Sequence, residues 1–203
     1  EGWSGRVTTT FSREWIVTVL GAASRPAGAA NAPDGALHGT GITAILTDSR
    51  KAAPGTLFVA LRGDKFDGHD FIEAALGAGA SGIVCRADFA PLKELQRRYP
   101  SAEFYAVADS LAAYRLLATK WRSRFRFPVI AIAGSVGKTT TKDLLAAILS
   151  GKFGNVLKTQ GNQNGFVGIP MTLLEMRENN DVAVVEVGID DVGTMRGHMD
   201  IVT

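Results

Sequence analysis

The segment VIAIAGSVGKTTTKDLLAAIL, residues 129–149, restricts the fold of this chain more than any other stretch of it. Its first residues are β-branched or small and apolar, which predicts a buried strand over residues 129–133. Glycines interrupt the run, and the pattern that follows predicts a helix over residues 140–150. A strand that passes through a glycine-rich loop into a helix is typical of parallel sheets covered by helices.

The same alternation of strand and helix begins at residue 42. The apolar runs ITAIL, TLFVAL, GIVCR and FYAVA alternate with helical patterns at about 69–78, 91–98 and 110–124. Ahead of them, residues 12–20 predict a short helix that Ser12 can cap, and residues 21–39 are rich in Gly, Ala and Pro and predict a loop. The chain is therefore predicted to have an α/β fold.

Two domains are predicted, with a boundary near residue 126. The helix over 110–124 runs into RSRFRFP, and Pro128 disfavours its continuation. Residues 1–126 would form a small N-terminal α/β domain. Residues 127–203 would form the first half of a second parallel α/β domain, with strands over 129–133 and 182–187 and helices over 140–150 and about 166–176.

Composition and charge exclude several classes of protein. The formal net charge is +2 and the charges are interspersed, so the chain lacks the basic stripe of a nucleic-acid-binding protein. No apolar run approaches the about 20 residues of a membrane span, and no signal-peptide pattern is present. The single cysteine, Cys85, excludes an intrachain disulfide and is expected to pack as a small apolar residue. A cytoplasmic protein is predicted, and because the chain starts at Glu1 without Met we expect it to be a piece of a longer one.

The glycine loop is a candidate phosphate site, because unpaired N–H groups and the positive end of the helix dipole meet where a helix begins. Gly134 and Gly137 would let the backbone wrap around a phosphate. Lys138 would reach the β- and γ-phosphates of a nucleotide, and the Thr139 hydroxyl would bind Mg²⁺. The loop is a compact variant of G-x-x-x-x-G-K-[ST], since Ile132 stands where that pattern has its first glycine. The candidate nucleotide-binding residues are Gly134, Ser135, Val136, Gly137, Lys138, Thr139 and Thr140. The alternative is a glycine-rich turn with an exposed lysine.

A carboxylate stands near the end of a second apolar run, DVAVVEVG, residues 181–188. In a strand over 182–187, Glu186 would lie at the ligand-binding edge of an open parallel sheet. There it could hold the Mg²⁺ that Thr139 also contacts. The alternative is an acidic residue at an exposed strand end. The nearby Asp190 and Asp191 are predicted to lie in a solvated turn rather than to bind metal.

A loop rich in glycine and amides, TQGNQNGFVGIP, spans residues 159–170. Its Asn162 and Asn164 side chains can donate and accept hydrogen bonds in a polar substrate cleft. Taken alone, however, the loop is better explained as an ordinary turn.

Together these segments resemble the Mur ligase family. The compact GSVGKTTTK loop, the T-x-G-N-x-N loop and the apolar strand ending in E-x-G are similar to the central ATPase domain of these enzymes. The segment TDSRKAAPGTLFVALRGDKFDGHDFIEAALGAGASGIV is similar to their uridine-nucleotide-binding domain. The resemblance runs from about residue 40 to about residue 190 and contains two motif sets in the family's order. It implies a UDP-binding α/β domain followed by a P-loop ATPase-type domain.

The resemblance also implies a reaction, the ATP-dependent formation of an amide bond. In it the γ-phosphoryl group passes to a peptide carboxylate of a UDP-linked substrate, and an amine attacks the acyl phosphate. ATP and Mg²⁺ are the implied cofactors, and Lys138 the implied catalytic residue. The combination of GKTTTK with T-x-G-N-x-N most resembles the member that joins D-alanyl-D-alanine to UDP-N-acetylmuramoyl-tripeptide in peptidoglycan precursor synthesis. The alternative within the family is the ligase that adds the third amino acid. A monomer is expected.

In the N-terminal domain, the resemblance implies that Ser49 and Arg50 of TDSR and His69 of DGHDF lie near the UDP moiety. The first segment could instead be a turn at a strand end, and the second a helix N-cap. For Ser49 and Arg50 we favour substrate binding. The His69 imidazole is equally well explained by a role in ordering its own loop.

Two other functions stay open at this point. One is a nucleotide-binding module without catalysis, and the other is a small kinase, which would leave TDSR and DGHDF unexplained. The sequence also departs from the family, since Gly165 stands where a further asparagine often follows. The family's second metal-binding histidine, its modified lysine and its C-terminal domain lie beyond Thr203, so we expect this chain alone to bind nucleotide without ligating.

Overall fold

The computed structural model describes residues 10–21, 41–63, 66–189 and 194–202. The chain divides into two compact units, Glu1–Ser110 and Leu111–Thr203. This division lies one helix earlier than the boundary predicted near residue 126. Residues 22–39 of the predicted loop, and Asp190 and Asp191, lie outside the described residues.

The first unit is built on a four-stranded parallel sheet with the strand order β1-β2-β3-β4. Its strands are β1 Ala44–Leu46, β2 Thr56–Val59, β3 Gly82–Arg86 and β4 Glu103–Val107. Its helices are α1 Arg13–Leu20, α2 Ile72–Gly77 and α3 Leu92–Arg98. Each strand pairs with the next one along the chain, which is the arrangement that alternating strands and helices favour.

The core of the first unit lies on this sheet. Phe58 and Ile83 are register partners on β2 and β3, and both are buried together with Phe104 of β4. Cys85 is fully buried beside them, and burial raises the pKa of its thiol to about 12. Its predicted role as a packed small residue is confirmed.

Local signals account for the helix starts in this unit. The Ser12 hydroxyl oxygen accepts a hydrogen bond from Trp15 N at 3.2 Å, so Ser12 caps α1 as predicted. The helix predicted over 69–78 is in fact a 3-10 turn, Gly68–Phe71, followed by α2. A second 3-10 turn, Ser49–Lys51, follows β1, and both turns pack against α2.

The second unit is built on a three-stranded parallel sheet with the strand order β5-β7-β6. Its strands are β5 Val129–Ala133, β6 Val156–Lys158 and β7 Val182–Val187. Its helices are α4 Ser110–Arg122, α5 Lys138–Ser150, α6 Gly168–Leu174 and α7 Thr194–Val202. The strand β6 and the helix α7 were not predicted. None of the helices in the described part of the chain combines the length and apolarity that a bilayer span requires.

Burial differs sharply between the strands of this sheet. β7 is buried along its whole length because it lies between β5 and β6. The prediction that β5 is buried is wrong, since its residues are half-buried or exposed. In the described part of the chain β5 pairs with one strand only, so one of its edges stays open.

Helix α4 packs with the second unit, which explains where the two units divide. Trp121 is fully buried, and its indole N–H donates to the Met176 carbonyl at 3.1 Å. Arg122 Nε donates to the Val202 carbonyl at 3.1 Å. Pro128 lies between this helix and β5.

Candidate functional site

The glycine loop lies between the C-terminal end of β5 and the first residue of α5, Lys138. Gly137 caps the helix with φ 78° and ψ 1°, a left-handed conformation that favours glycine. The N–H groups of the first turn of α5 have no partner within the helix, so they remain available to an anion. The loop therefore has the backbone geometry of a phosphate site.

Some side chains of the glycine loop are exposed to solvent, and one contacts the loop backbone. Ser135 and Val136 are exposed, Val136 to 89%, so they leave the backbone N–H groups accessible. Lys138 is only partly exposed, and its Nζ donates to the Gly134 carbonyl at 2.8 Å. The ammonium group is thus held against the loop, where it adds positive charge beside the helix N-terminus.

Glu186 lies next to this loop, because β7 is paired in parallel with β5 and both strands end at the same edge of the sheet. Ile132 is its register partner, and the loop begins only two residues later. The Thr139 hydroxyl donates to Glu186 Oε1 at 3.2 Å. The structure thus brings together the two residues that the sequence suggested as metal ligands.

The Glu186 carboxylate is buried, with 1% of the residue exposed, which excludes the alternative of an acidic residue at an exposed strand end. Its own N–H donates to Thr159 Oγ1 at 3.0 Å, so both its backbone and its side chain are held. Its Oε2 is buried and accepts no hydrogen bond from the residues that the structure describes, although Lys142 Nζ lies 3.5 Å away. Oε1, which contacts Thr139, is thus the carboxylate oxygen on the side of the glycine loop, and Oε2 is the one beside Lys142.

Mg²⁺ fits these residues. It takes oxygen ligands, and in nucleotide sites it is held by one or two carboxylates together with substrate phosphates and water. Because Thr139 donates its hydroxyl hydrogen to Glu186, its oxygen lone pairs are free for a cation. Clusters of three or more His, Cys, Asp or Glu that could hold a metal are absent from the described residues, so phosphates and water would complete the coordination.

The two asparagines of the 159–170 loop have different surroundings. The Asn164 side-chain amide donates to Glu186 Oε1 at 2.8 Å, and the Asn164 carbonyl accepts from Gly188 N at 2.6 Å. Asn162 is exposed, and its carbonyl accepts from Asn164 N at 2.8 Å. Asn164 therefore contacts the candidate metal ligand, while Asn162 keeps an amide available to solvent and ligand.

In the first unit, Asp48 and Arg50 form a pair within the turn that follows β1. Arg50 Nε donates to Asp48 Oδ1 at 2.9 Å, and Arg50 NH2 donates to Asp48 Oδ2 at 2.8 Å. This side-chain hydrogen bonding lowers the pKa of Asp48 to about 2. The Arg50 side chain is 88% exposed and Ser49 is partly exposed, so both are accessible to a ligand.

His69 is buried, and both of its ring nitrogens are engaged within the protein. Its Nδ1 lies 2.6 Å from Asp67 Oδ1, and its Nε2 accepts from the Arg86 N–H at 3.0 Å. The second contact requires an unprotonated Nε2, so the tautomer carries its hydrogen on Nδ1. The ring also packs against Phe89, with centroids 5.1 Å apart. This geometry favours the loop-ordering role over direct contact with a ligand.

Sequence reasoning missed two residues at the loop, Lys142 and Thr159. Lys142 is buried, and its Nζ donates to the Gly161 carbonyl at 2.8 Å. Its spacing of four residues from Lys138 was the available signal, because such residues share one face of a helix. Nothing in the local sequence marks Thr159 as the acceptor for the Glu186 N–H.

Two family models match the chain. The model described as "Mur ligase family, catalytic domain" matches residues 41–109, and the "Mur ligase middle domain" matches residues 132–202. Each match lies within one of the two structural units. Membership of this family removes the small-kinase alternative.

Comparison with individual proteins gives consistent results. The UDP-N-acetylmuramoyl-tripeptide–D-alanyl-D-alanine ligase of Synechocystis sp. is 46% identical over 160 residues, which are 79% of this chain and 34% of that protein. A crystal structure of MurF from Acinetobacter baumannii matches 95% of this chain and 39% of its own, with a TM-score of 0.76 and 31% identity. The MurF ligase from Thermotoga maritima in complex with ADP matches 76% of this chain and 34% of its own, with a TM-score of 0.64 and 32% identity.

The chain spans about a third of the length of the curated relatives that it matches. Each of its two structural units contains one of the matched regions. The phosphate loop, the buried Glu186 and the asparagine loop all lie inside the middle-domain match. The chain therefore belongs to the Mur ligase family.

Proposed function

We propose that this chain provides the UDP-substrate-binding and ATP-binding portions of a ligase that joins D-alanyl-D-alanine to UDP-N-acetylmuramoyl-tripeptide. The name of the Synechocystis sp. relative supports the substrates, since it is a UDP-N-acetylmuramoyl-tripeptide–D-alanyl-D-alanine ligase and is 46% identical to this chain over 160 residues. The contact of Thr139 with Glu186 at the glycine loop is the observation on which the proposal depends.

In the second unit, the chain's own residues would bind and orient the nucleotide. The free N–H groups of the first turn of α5 and the Lys138 ammonium would hold the phosphates. Thr139 and Glu186 would hold Mg²⁺, which when bound neutralises charge on the β- and γ-phosphates. Phosphoryl transfer requires mainly such positioning and charge neutralisation, so Lys138 is the proposed catalytic residue. Asn162, which is exposed in the 159–170 loop, is proposed to contact substrate.

In the first unit, Ser49 and Arg50 are the proposed contacts of the UDP moiety. Arg50 is held by Asp48 yet exposed, which suits a guanidinium that must meet a diphosphate with a fixed orientation. His69 is proposed to act indirectly, by fixing the turn Gly68–Phe71 to the Arg86 N–H at the end of β3. A cytoplasmic location and a monomeric state belong to the same proposal.

The test is a nucleotide titration of the Lys138→Ala variant. ADP with excess MgCl₂ is titrated calorimetrically into the 203-residue chain and into the variant. Loss of a charge-assisted hydrogen bond should weaken binding by about 1.5 to 3 kcal/mol, or roughly tenfold to more than a hundredfold.

The matched control is Lys152→Ala, which removes an exposed lysine just beyond the same helix. It should bind ADP like the parent chain. Equal affinities for the parent and the Lys138→Ala variant, both folded, would remove the basis for an ATP site at this loop.

A further inference from the structure

Lys142 is one of the most completely buried side chains in the protein, with 1% of the residue exposed. Lysine is almost never found in such surroundings unless its charge is paired, because removing an ammonium group from water costs several kcal/mol. It lies on α5 four residues after Lys138, so it is on the same helix face, one turn further from the loop. A specific set of partners must therefore compensate its charge.

Those partners belong to the site that the proposed function uses. Lys142 Nζ donates to the Gly161 carbonyl at 2.8 Å and lies 3.5 Å from Glu186 Oε2. Asp143 Oδ1 is 3.8 Å away, but that carboxylate is exposed and binds Lys158 at 2.7 Å. Among the described residues, Lys142 is the one ion-pair partner of Glu186.

The contacts of Glu186 are divided between its two oxygens. Oε1 accepts from Thr139 and from Asn164, and Oε2 faces Lys142. Lys142 also donates a hydrogen bond to the carbonyl of Gly161, which lies in the same loop as Asn164. The lysine thus connects helix α5, the asparagine loop and the carboxylate at the end of β7.

Stability alone is a poor explanation for this ion pair. Replacing a buried ion pair by apolar residues of similar volume is often neutral or stabilising, so an apolar pair would serve the core as well. What an apolar pair does not provide is a carboxylate held in one orientation. Removal of a group that contacts a metal ligand and orients it commonly lowers metal affinity by about 10- to 100-fold.

We propose that Lys142 is a positioning residue that holds the Glu186 carboxylate oriented towards Thr139 and the nucleotide. The inference rests on the proposed function, because it assumes that Glu186 and Thr139 bind the Mg²⁺ of a nucleotide. Lys142 itself contacts neither nucleotide nor metal.

The experiment measures how much Mg²⁺ improves nucleotide binding. ADP is titrated into the chain once with MgCl₂ and once with EDTA, and the ratio of the two affinities is the metal-dependent gain. In Lys142→Met this gain should fall by about tenfold or more, while the affinity for ADP in EDTA stays within about twofold of the parent. A purely structural defect would lower both affinities together.

A double-variant comparison tests whether Lys142 acts through Glu186. Glu186→Gln should lose the metal-dependent gain, and adding Lys142→Met to it should cause no further loss, because the carboxylate is already gone. Lys152→Met is the matched control, an exposed lysine just beyond α5 that should retain the full gain. If Lys142→Met does not fold, Lys142→Gln, which keeps a hydrogen-bond donor for Gly161, replaces it and is held to the same criterion.

The outcomes separate the two proposals. A parent chain that gains nothing from Mg²⁺ would overturn the proposed function and this inference with it. If Mg²⁺ improves ADP binding to the parent chain and Lys142→Met keeps or increases that improvement, this inference alone would be overturned. Lys142 would then only balance the charge of Glu186. Additive losses from Lys142→Met and Glu186→Gln would also overturn it.

Discussion

Lys138 and Lys142 are the same residue type on one face of α5, but their surroundings give them different chemistry. Lys138 is partly exposed beside the glycine loop, where its ammonium group can exchange the Gly134 carbonyl for a phosphate oxygen. Lys142 is buried, and its contacts with Gly161 and Glu186 leave it no access to a ligand from solvent. One lysine is therefore suited to binding, and the other to holding a neighbour in place.

Asp67 allows a pH-dependent prediction for the first unit. Its pKa lies below the usual value of 3.8, chiefly because its carboxylate accepts a hydrogen bond from the His69 backbone N–H. Since the folded pKa is the lower one, this carboxylate stabilises the fold above about pH 4, and the contribution is lost as the pH falls through the folded pKa. Asp67→Asn should therefore lower the urea midpoint at pH 7 and have a smaller effect at pH 3.

Asp70→Asn is the control for that comparison, because Asp70 is an exposed residue of the same turn. It should change the free energy of unfolding by no more than about 0.5 kcal/mol at pH 7. A decrease for Asp67→Asn of the same size at both pH values would contradict the assigned cause.

At the scale of single elements, Gly188 is the residue that follows β7, two residues after Glu186. A Cβ added there would lie 2.9 Å from the Asn164 carbonyl oxygen, and Asn164 also donates to Glu186. Gly188→Ala should therefore push the asparagine loop away from β7, lowering the free energy of unfolding by about 1 to 3 kcal/mol. It should also reduce the metal-dependent gain in ADP affinity. Thermal unfolding and the two titrations measure these effects.

Gly77→Ala provides the comparison for this prediction. Gly77 is the last residue of α2, and a Cβ there would meet nothing within 4 Å. The substitution should be neutral or stabilise the chain by up to about 1 kcal/mol, because alanine is the better helix former. If the two alanine variants melt at the same temperature, close packing of Gly188 against Asn164 is not what requires the glycine.

The elements that could be predicted from the sequence are those with strong local signals. The caps, periodicity and apolar runs predicted the helices from α1 to α6 to within a few residues at their ends, and the longer strands as well. β6 was missed because its three residues, VLK, are too short for a period to be recognised. The prediction that β5 is buried was wrong because apolar composition does not tell whether a strand lies at the centre or at the edge of a sheet.

In the candidate site, too, the residues with a strong local sequence signal could be predicted and the others could not. Gly137, Lys138 and Thr139 could be found because a phosphate loop is contiguous in sequence. The roles of Lys142 and Asn164 depend on β7 lying beside β5 and on a loop folding back over both, which no local pattern encodes. His69 shows the opposite case, because its motif left a ligand contact and a loop-ordering role equally open, and its burial and two protein partners favour the second.

For the whole molecule, the two units are expected to respond to different nucleotides. ADP with MgCl₂ should slow hydrogen exchange at residues 134–141 and at the end of β7, because those N–H groups lie at the proposed phosphate and metal site. UDP should slow exchange in the turns Ser49–Lys51 and Gly68–Phe71. Exchange measured by mass spectrometry on the intact chain, with each ligand separately, tests both expectations.

The Arg50→Ala variant is the control for the UDP part of that experiment. It should weaken the protection by UDP and leave the protection by ADP unchanged, because Arg50 is exposed in the first unit. UDP protection confined to residues 134–141 would mean that the first unit has been assigned the wrong ligand.

The order of strands in the two sheets determines when each can form during protein synthesis. In the first unit every strand pairs with the one made just before it, so that sheet can grow while the chain is still emerging from the ribosome. In the second unit, β5 and β6 both pair with β7, which is translated after them. The pairing of β5 and β6 with β7 cannot be completed until Val187 has left the ribosomal tunnel. Until then the apolar residues of β5 lack their partner strand. The second unit is therefore expected to expose unpaired strand edges and apolar residues for longer during synthesis than the first unit.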